Sequence, residues 1–118
     1  MRYTFQGKFL EITPSLQRYI KDKFQALSRI FKKEDVSLEV EVERETRHYK
    51  KGLVFLAKAI LDVKAKNPLF AEAESYDARS AVDIVRDVLF TEARKFKEKR
   101  AVRRREGERR LKRLMKGL

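Results

Sequence analysis

The chain has 118 residues, of which 30 are Lys or Arg and 18 are Asp or Glu, so its formal net charge is +12. This length suffices for one domain with one core and is too short for two. The absence of cysteine excludes disulfides and thiolate metal sites. No apolar run approaches the ~20 residues of a membrane span, and the first eight residues lack a signal-peptide pattern. We therefore expect a soluble, cytoplasmic protein without a membrane partner.

The positive charge is concentrated at the C-terminal end of the chain. Residues 1–93 carry 17 basic and 15 acidic side chains, a net charge of +2, whereas residues 94–118 carry 13 basic and 3 acidic side chains, a net charge of +10. A clustered cationic field attracts and holds phosphates better than the same charge spread over the surface. The distribution therefore predicts a protein that binds a polyanion.

The first two elements are predicted to be a strand and a helix. Apolar and polar side chains alternate in residues 2–8, which is the period of a β-strand. Thr13 suits a helix N-cap, and Pro14 suits the first helical position, where its missing N–H does no harm. Apolar residues then recur at steps of three and four at Leu16, Tyr19, Ile20, Phe24, Leu27, Ile30 and Phe31. This pattern predicts one amphipathic helix of about five turns.

Two longer segments with alternating side chains follow the helix. In residues 36–46, apolar residues alternate with Glu39, Glu41, Glu43 and Glu45. In residues 53–66, small and apolar residues alternate with Lys58, Asp62, Lys64 and Lys66. A polar loop around Arg47 to Gly52 separates the two segments. We therefore expect two antiparallel strands joined by this loop.

A third alternating segment and a second helix complete the chain. Asn67 and Pro68 favour a turn, and residues 69–76 alternate again. Asp77 suits the N-cap of a helix whose apolar stripe consists of Ala78, Ala81, Val82, Val85, Val88, Leu89, Ala93 and Phe96. This helix is expected to extend past residue 100. Because Gly107 and the high charge weaken a helix, residues 101–118 are either a helical extension or a tail that becomes ordered on binding.

The order of elements predicts the fold class. It is an α+β fold, a β-α-β-β-β-α two-layer sandwich in which a four-stranded mixed sheet has two helices on one face. Residues 1–100 form the predicted domain, and residues 101–118 its basic C-terminal extension. If the helices cover the apolar side of residues 36–46, the glutamates point to solvent from the other face. Their expected cross-strand neighbours are Lys58, Lys64 and Lys66.

Several short motifs occur in an order that is typical of one protein family. The first helix opens with Glu11-Ile12-Thr13-Pro14 and contains Lys23-Phe24 and Leu27. The second helix contains Ser80-Ala81-Val82-Asp83, followed by Asp87, Leu89, Lys95, Lys97 and Lys99. In these motifs and in the order of its elements, the segment 1–100 resembles the ribosome hibernation-promoting factors, also called protein Y or ribosome-associated inhibitor A.

The resemblance implies a fold, a partner and a mechanism. The fold is similar to that of double-stranded RNA-binding domains, with an extra first strand. Members bind the small ribosomal subunit between head and body, over the positions of mRNA and of A- and P-site tRNA. They thereby silence ribosomes in idle or stressed cells. Basic residues on the helices contact rRNA, and the matching positions here are Lys23, Lys95, Lys97 and Lys99. The chain resembles a short form without the second, dimerising domain, so the resemblance implies a monomer.

The sequence also departs from the family pattern at two places. Arg79 stands where the family commonly has Tyr, and Thr91-Glu92 stands where an Arg-Gln pair is usual. Contacts that the family makes through the Arg-Gln pair therefore do not carry over to this chain.

Helical geometry predicts a cationic surface without reference to the family. One flank of the second helix carries Arg79, Arg86, Lys97 and Arg104, while Lys21 and Lys32 take the corresponding flank of the first helix and Lys23 the other. The full candidate rRNA-binding set is Lys21, Lys23, Lys32, Arg79, Arg86, Arg94, Lys95, Lys97, Lys99, Arg100, Arg103 and Arg104. For any single lysine, the alternative is a solvated helix side. For the arginines near the C-terminus, nucleic acid is favoured.

Other kinds of site have little support in the sequence. His48, the only histidine, lies in a predicted loop, and no nucleophile or glycine-rich phosphate motif is present. We therefore expect no enzymatic activity, no small-molecule substrate and no cofactor. Alternate glutamates on a strand lie too far apart to converge on one metal ion, so no metal is expected. Phe90 lies off the apolar stripe and either stacks on a base or packs against a neighbouring loop or the tail.

Three functions remain open from the sequence. The first is a translation silencer that binds the small ribosomal subunit through rRNA phosphates. The second is a general RNA-binding module or RNA chaperone, which would not compete with mRNA and tRNA for one channel. The third is an interaction protein whose C-terminal apolar patch, made of Leu111, Leu114, Met115 and Leu118, binds acidic membranes together with the basic residues around it.

Overall fold

The described part of the chain forms a four-stranded sheet with helices on one side. A computed structural model describes residues 1–32, 34–46, 52–63 and 68–116. The elements are β1 (Arg2–Lys8), α1 (Pro14–Phe24), α2 (Leu27–Ile30), β2 (Val36–Thr46), β3 (Leu53–Val63), β4 (Leu69–Ser75) and α3 (Ala78–Lys116). In the sheet order β1-β2-β3-β4, β1 is parallel to β2, and the other neighbours are antiparallel. The predicted α+β class and mixed sheet are therefore confirmed.

Some predicted features lie outside the described residues. They are His48 with most of the loop predicted from Arg47 to Gly52, the cations Lys64 and Lys66, Asn67 of the predicted turn, and Leu118 of the C-terminal apolar patch.

The first helix is interrupted, so the prediction of one helix of five turns is wrong. α1 ends at Phe24, and α2 begins at Leu27. Between them, the Ser28 backbone N–H donates to the Gln25 carbonyl at 3.1 Å, which is the tighter three-residue step of a 3₁₀ turn. The Ser28 hydroxyl donates to the same carbonyl at 2.6 Å and competes with the regular helical bond. The helix therefore breaks although its apolar spacing continues.

The core lies between the sheet and the helices. Leu38, Val40 and Val42 of β2 are at most 1% exposed on the covered face. The helices bury Ile20, Phe24, Leu27, Val82, Val85 and Leu89 in the same cluster. This confirms the prediction that the helices pack on the apolar side of β2. Among the described residues, every buried apolar side chain lies between Leu16 and Ala93, so the end of α3 does not contribute to the core.

α3 is a single long helix that projects beyond the core. Asp77 caps it as predicted, because its Oδ1 accepts the Ser80 backbone N–H at 2.8 Å and its Oδ2 accepts the Ser80 hydroxyl at 2.7 Å. These bonds favour the carboxylate and lower the pKa of Asp77. The 39 residues of α3 continue to Lys116, and the longest dimension of the molecule is 70 Å. We call residues 101–116 the arm, of which residues 102–116 are exposed.

The sheet face away from the helices is called the open face. It consists of the even-numbered positions of β1, β3 and β4 and the odd-numbered positions of β2, as the strand pairing requires. The glutamates of β2 lie on this face, as predicted. Of the predicted cross-strand lysines, Lys58 stands opposite Glu41, whereas Lys64 and Lys66 lie outside the described residues. The register places Ile60 and Leu56 of β3 opposite Glu39 and Glu43, so the prediction of lysines on β3 opposite these two glutamates is wrong.

Candidate nucleic-acid interface

α1 and α3 are joined by polar contacts along their solvent side. The Tyr19 hydroxyl donates to Asp83 Oδ1 at 2.6 Å, and Lys23 Nζ lies 3.6 Å from the same oxygen. Burial, together with the hydrogen bond to Asp83, raises the pKa of Tyr19 to about 12. These contacts fix α1 against α3 and hold the predicted site residue Lys23 between the two helices.

Two predicted site residues of α3 lie against α1. The Arg79 guanidinium donates to Ser15 Oγ at 3.3 Å. Arg86 donates through Nε to the Lys23 carbonyl at 3.2 Å and through Nη1 to Asp87 at 2.9 Å. Arg79 remains exposed, and Arg86 is half-buried. Both side chains therefore connect the helices while part of each guanidinium still faces solvent.

Phe90 belongs to the core and is not available for stacking on a base. Its side chain is 3% exposed and is covered by Arg86, whose guanidinium carbon lies 4.2 Å from the ring centroid. α3 packs against β3, β4, α1 and α2 at once, so its buried surface is wider than one helical stripe. Of the two sequence interpretations, base stacking is wrong, and packing occurs against the core.

Glu34 connects the segment before β2 to the second half of α3. It forms an ion pair with Arg100, and its Oε2 lies 3.8 Å from Lys97 Nζ. The Glu34 side chain is only 21% exposed. The Lys97 distance is too long for a hydrogen bond, so Oε2 is buried without a hydrogen-bond partner among the described residues. Two predicted site residues therefore share one carboxylate, which leaves a local charge of +1.

Most of the remaining predicted site residues are exposed and have no carboxylate partner in the described part of the chain. Lys95 is the exception, since its Nζ lies 3.7 Å from Glu92 on the helix surface, where such pairs contribute little. Lys21 lies above β1, with its Nζ 5.8 Å from the ring centroids of Tyr3 and Phe5. The others are Lys32, Arg94, Lys99, Arg103 and Arg104.

The structure brings the cations of α3 together on two flanks of that helix. Lys97, Arg100 and Arg104 line one shallow depression together with Ala101. Lys95, Lys99 and Arg103 line another on a different flank, together with Glu98 and Val102. Guanidinium forks and lysine ammonium groups arranged in this way can bind phosphate oxygens. Lys21 belongs to neither group.

Sequence reasoning missed the residues that hold these cations in place. Glu34 has no local signal in the sequence, because its two partners are 63 and 66 residues away in the chain. The spacing of Tyr19 fits the apolar stripe of the first helix, and its bond to Asp83 again spans 64 residues. Only an aligned set of relatives would have carried a signal for such long-range pairs.

Within the described ranges, no group of three or more His, Cys, Asp or Glu side chains is placed to hold a metal ion. No helix in those ranges is long and apolar enough to cross a lipid bilayer.

Fold and charge together define a class of protein, in which cations lie on the helical side of a mixed α+β sheet and carboxylates on its open side. A family model described as sigma 54 modulation protein / S30EA ribosomal protein matches residues 3–101, and the chain belongs to this family. The resemblance noted in the sequence is thereby confirmed. The family consists of non-enzymatic, ribosome-associated factors, which agrees with the predicted absence of enzymatic activity.

Two solved structures share the fold. The N-terminal domain of Thermus thermophilus Protein Y is 23% identical, with a TM-score of 0.68 over 81% of this chain and 99% of that chain. A ribosomal subunit interface protein from Coxiella burnetii is 19% identical, with a TM-score of 0.70 over 83% of this chain and 99% of that chain. A comparison with curated protein sequences found no match.

Proposed function

We propose that this protein binds the small ribosomal subunit at the decoding channel, over the positions of mRNA and of A- and P-site tRNA, and inhibits translation in idle or stressed cells. It acts in the cytoplasm and inhibits by occupying the channel, without a cofactor or a chemical step. The observation that carries the proposal is α3, a single helix whose second half and arm present cations on both flanks. Membership of a family of ribosome-associated factors supports the choice of partner.

The proposed contacts are made to rRNA phosphates. Lys97, Arg100 and Arg104 follow one another at intervals of three and four residues, which is about 4.5 to 6 Å along the helix axis. A helix that is already formed orders few additional dihedrals on binding, so less conformational entropy is lost. Lys23 and Arg86, which lie where α1 meets α3, contribute from positions fixed by the α1–α3 contacts.

The two predicted parts of the chain have different tasks in this proposal. Residues 1–100 supply the bulk that excludes mRNA and tRNA from the channel. The basic extension, residues 101–118, adds phosphate contacts beyond that body. Loss of the extension is then expected to weaken binding while the body still fits the channel.

Co-sedimentation with purified small subunits, combined with a translation assay, tests this function. We expect the protein to travel with small subunits at low salt, to slow protein synthesis, and to be displaced by mRNA together with tRNA. A general RNA-binding module or RNA chaperone would remain bound when mRNA and tRNA are added. A protein that neither travels with small subunits nor slows synthesis would contradict the proposal.

Charge reversal on the open face tests the orientation. The variant Glu39→Lys/Glu41→Lys/Glu43→Lys places cations on the side that we assign away from rRNA. We expect its affinity for small subunits to stay nearly unchanged, while its affinity for unrelated RNA rises because a second attractive face appears. A large loss of small-subunit binding would show that the open face contacts the ribosome.

A further inference from the structure

Two surfaces of the molecule have no role in the proposed function. One is the open face of the sheet, and the other is the apolar side of the arm. Each exposes apolar side chains to water, and the two surfaces differ in the sign of their charge. They are therefore candidates for contact with each other.

The open face combines carboxylates with an exposed aromatic ring. Phe70, on the edge strand β4, is 51% exposed and pairs with Ile60 of β3, which in turn pairs with Glu39. Among the described residues, the carboxylates of this face are Glu39, Glu41, Glu43, Glu45, Asp62, Glu72 and Glu74, and the cations are Arg2, Lys8 and Lys58. These seven carboxylates and three cations give the described part of the face a net charge of −4.

The arm carries the opposite charge and an apolar side of its own. Leu111, Leu114 and Met115 are 58%, 70% and 66% exposed, and their spacing places them on one side of the helix. Eight cations and two carboxylates lie in residues 101–116, a net charge of +6. Phosphate binding would use the cations and would leave these three apolar side chains in water.

The arm and the edge strand of the open face have similar lengths. The 16 residues of the arm form a helix of about 24 Å. The seven residues of β4 extend about 23 Å at the rise of a strand. The arm can therefore lie along the open face with Leu111 and Leu114 against Phe70 and Ile60 and with its cations beside the carboxylates.

We propose that, when no RNA occupies the arm, the arm of one copy of this chain docks on the open face of a second copy. The arm cannot reach the open face of its own chain, because α3 continues unbroken to Lys116 and packs on the opposite side of the sheet. This self-association departs from the monomer that the family resemblance implies. It stands on the two surfaces alone and does not require the ribosomal role.

RNA and the second copy compete for the same cations of the arm. Each chain has a net charge of +12, so long-range repulsion opposes association at very low salt. At ~0.1 M salt, the screening length is about 10 Å, which weakens the long-range repulsion more than the contacts within the interface. We therefore expect self-association to be strongest near this salt concentration and to disappear when excess RNA is added.

Complementation between two variants tests the proposal. Phe70→Asp damages the open face and keeps the arm, whereas Leu111→Asp/Leu114→Asp damages the arm and keeps the open face. All three residues are more than half exposed, so both variants are expected to fold, which far-UV circular dichroism verifies. By sedimentation equilibrium of the full chain, we expect each variant alone to self-associate at least roughly tenfold more weakly than the unchanged chain. An equal mixture of the two should associate again, because one intact arm meets one intact face.

Two double charge-reversal variants supply a matched control. Glu41→Lys/Glu72→Lys and Glu92→Lys/Glu98→Lys change the net charge equally, but only the first pair lies on the open face. Self-association should fall with the first pair and change little with the second. The proposal is overturned if the unchanged chain remains monomeric throughout the concentration range, if the mixed variants do not associate, or if both charge pairs weaken association equally. Binding of the arm to anionic lipid vesicles without self-association would overturn it as well.

The same variants separate this proposal from the ribosomal function. Phe70→Asp should bind small subunits as the unchanged chain does, since the open face is assigned away from rRNA. Normal small-subunit binding without any self-association would refute the docking and leave the proposed function intact. Self-association without small-subunit binding would refute the function and leave the docking intact.

Discussion

The removal of two arginines from the arm tests the phosphate-binding role of α3 most directly. Arg103 and Arg104 are exposed and have no carboxylate partner among the described residues. They also lie beyond Ala93, where the core ends, so Arg103→Gln/Arg104→Gln is expected to preserve the fold. The substitution thus removes two cations without breaking a described ion pair.

The size of the effect follows from counterion release. Each phosphate contact contributes about 0.7 to 0.9 to the slope of log K against log salt. Two lost contacts reduce the slope by about 1.4 to 1.8, and the variant and the unchanged chain should bind alike when extrapolated to ~1 M salt. At ~0.1 M salt, the variant should therefore bind about 25- to 60-fold more weakly, and at ~0.3 M about five- to ninefold more weakly.

Fluorescence titration of labelled protein with purified small subunits at several salt concentrations measures the slope. The matched control is Lys8→Gln/Lys58→Gln, which removes the same charge from β1 and β3 on the open face. We expect the control to keep the slope of the unchanged chain to within about half a unit, because it removes no phosphate contact. Equal slopes and equal losses of affinity for both variants would refute the reasoning, since the arm would then act only through net charge.

Three further predictions concern the scaffold. Glu34→Gln should release two cations of α3 and raise RNA affinity in titrations, while lowering the free energy of unfolding in urea by about 1 to 2 kcal/mol; unchanged affinity would show that those cations do not reach RNA. The pKa of Tyr19 is raised from 10.0 to about 12, so its stabilising contribution is complete below pH 10 and lost as the pH rises toward 12. Tyrosinate absorbance should contain an ionisation shifted to about pH 12, and Tyr19→Phe should remove both this ionisation and that part of the pH dependence. Thr13→Ala should cost about 1 kcal/mol in urea unfolding, because Thr13 Oγ1 accepts the Leu16 N–H at the start of α1; an unchanged midpoint would contradict this capping role.

Much of the fold could be predicted because its strands have one covered and one open face. Alternation in residues 36–46 predicted both a strand and the direction of its glutamates, since a strand turns successive side chains to opposite faces. The break between α1 and α2 could not be predicted. Leu27 keeps the apolar spacing of the preceding helix, and the feature that causes the break is the local competition of the Ser28 hydroxyl for a carbonyl.

The residue types of the candidate site could be predicted from the sequence, but the ion pairs between its side chains could not. Helical spacing placed Lys97, Arg100 and Arg104 near one another, as the structure does. Helical spacing could not show that the Glu34 carboxylate lies beside Lys97 and Arg100, because this ion pairing depends on where the segment before β2 meets α3. Helical spacing alone also does not distinguish buried Phe90 from an exposed aromatic residue, since Arg86 covers its ring and α3 packs against four other elements.

The glutamates of β2 acquire a physical role when both proposals are taken together. A basic chain with cations on every side would bind a polyanion in any orientation, and the carboxylates of the open face remove that freedom by repelling phosphates from one side. The same carboxylates attract a helical arm of opposite charge. Because the arm can contact either RNA or a second copy, RNA binding would release the arm from the open face of that copy. The uncovered carboxylates would then repel phosphates while the protein binds RNA. The acidic face would then orient the protein only when RNA is present, and free copies would cover one another's exposed apolar surfaces.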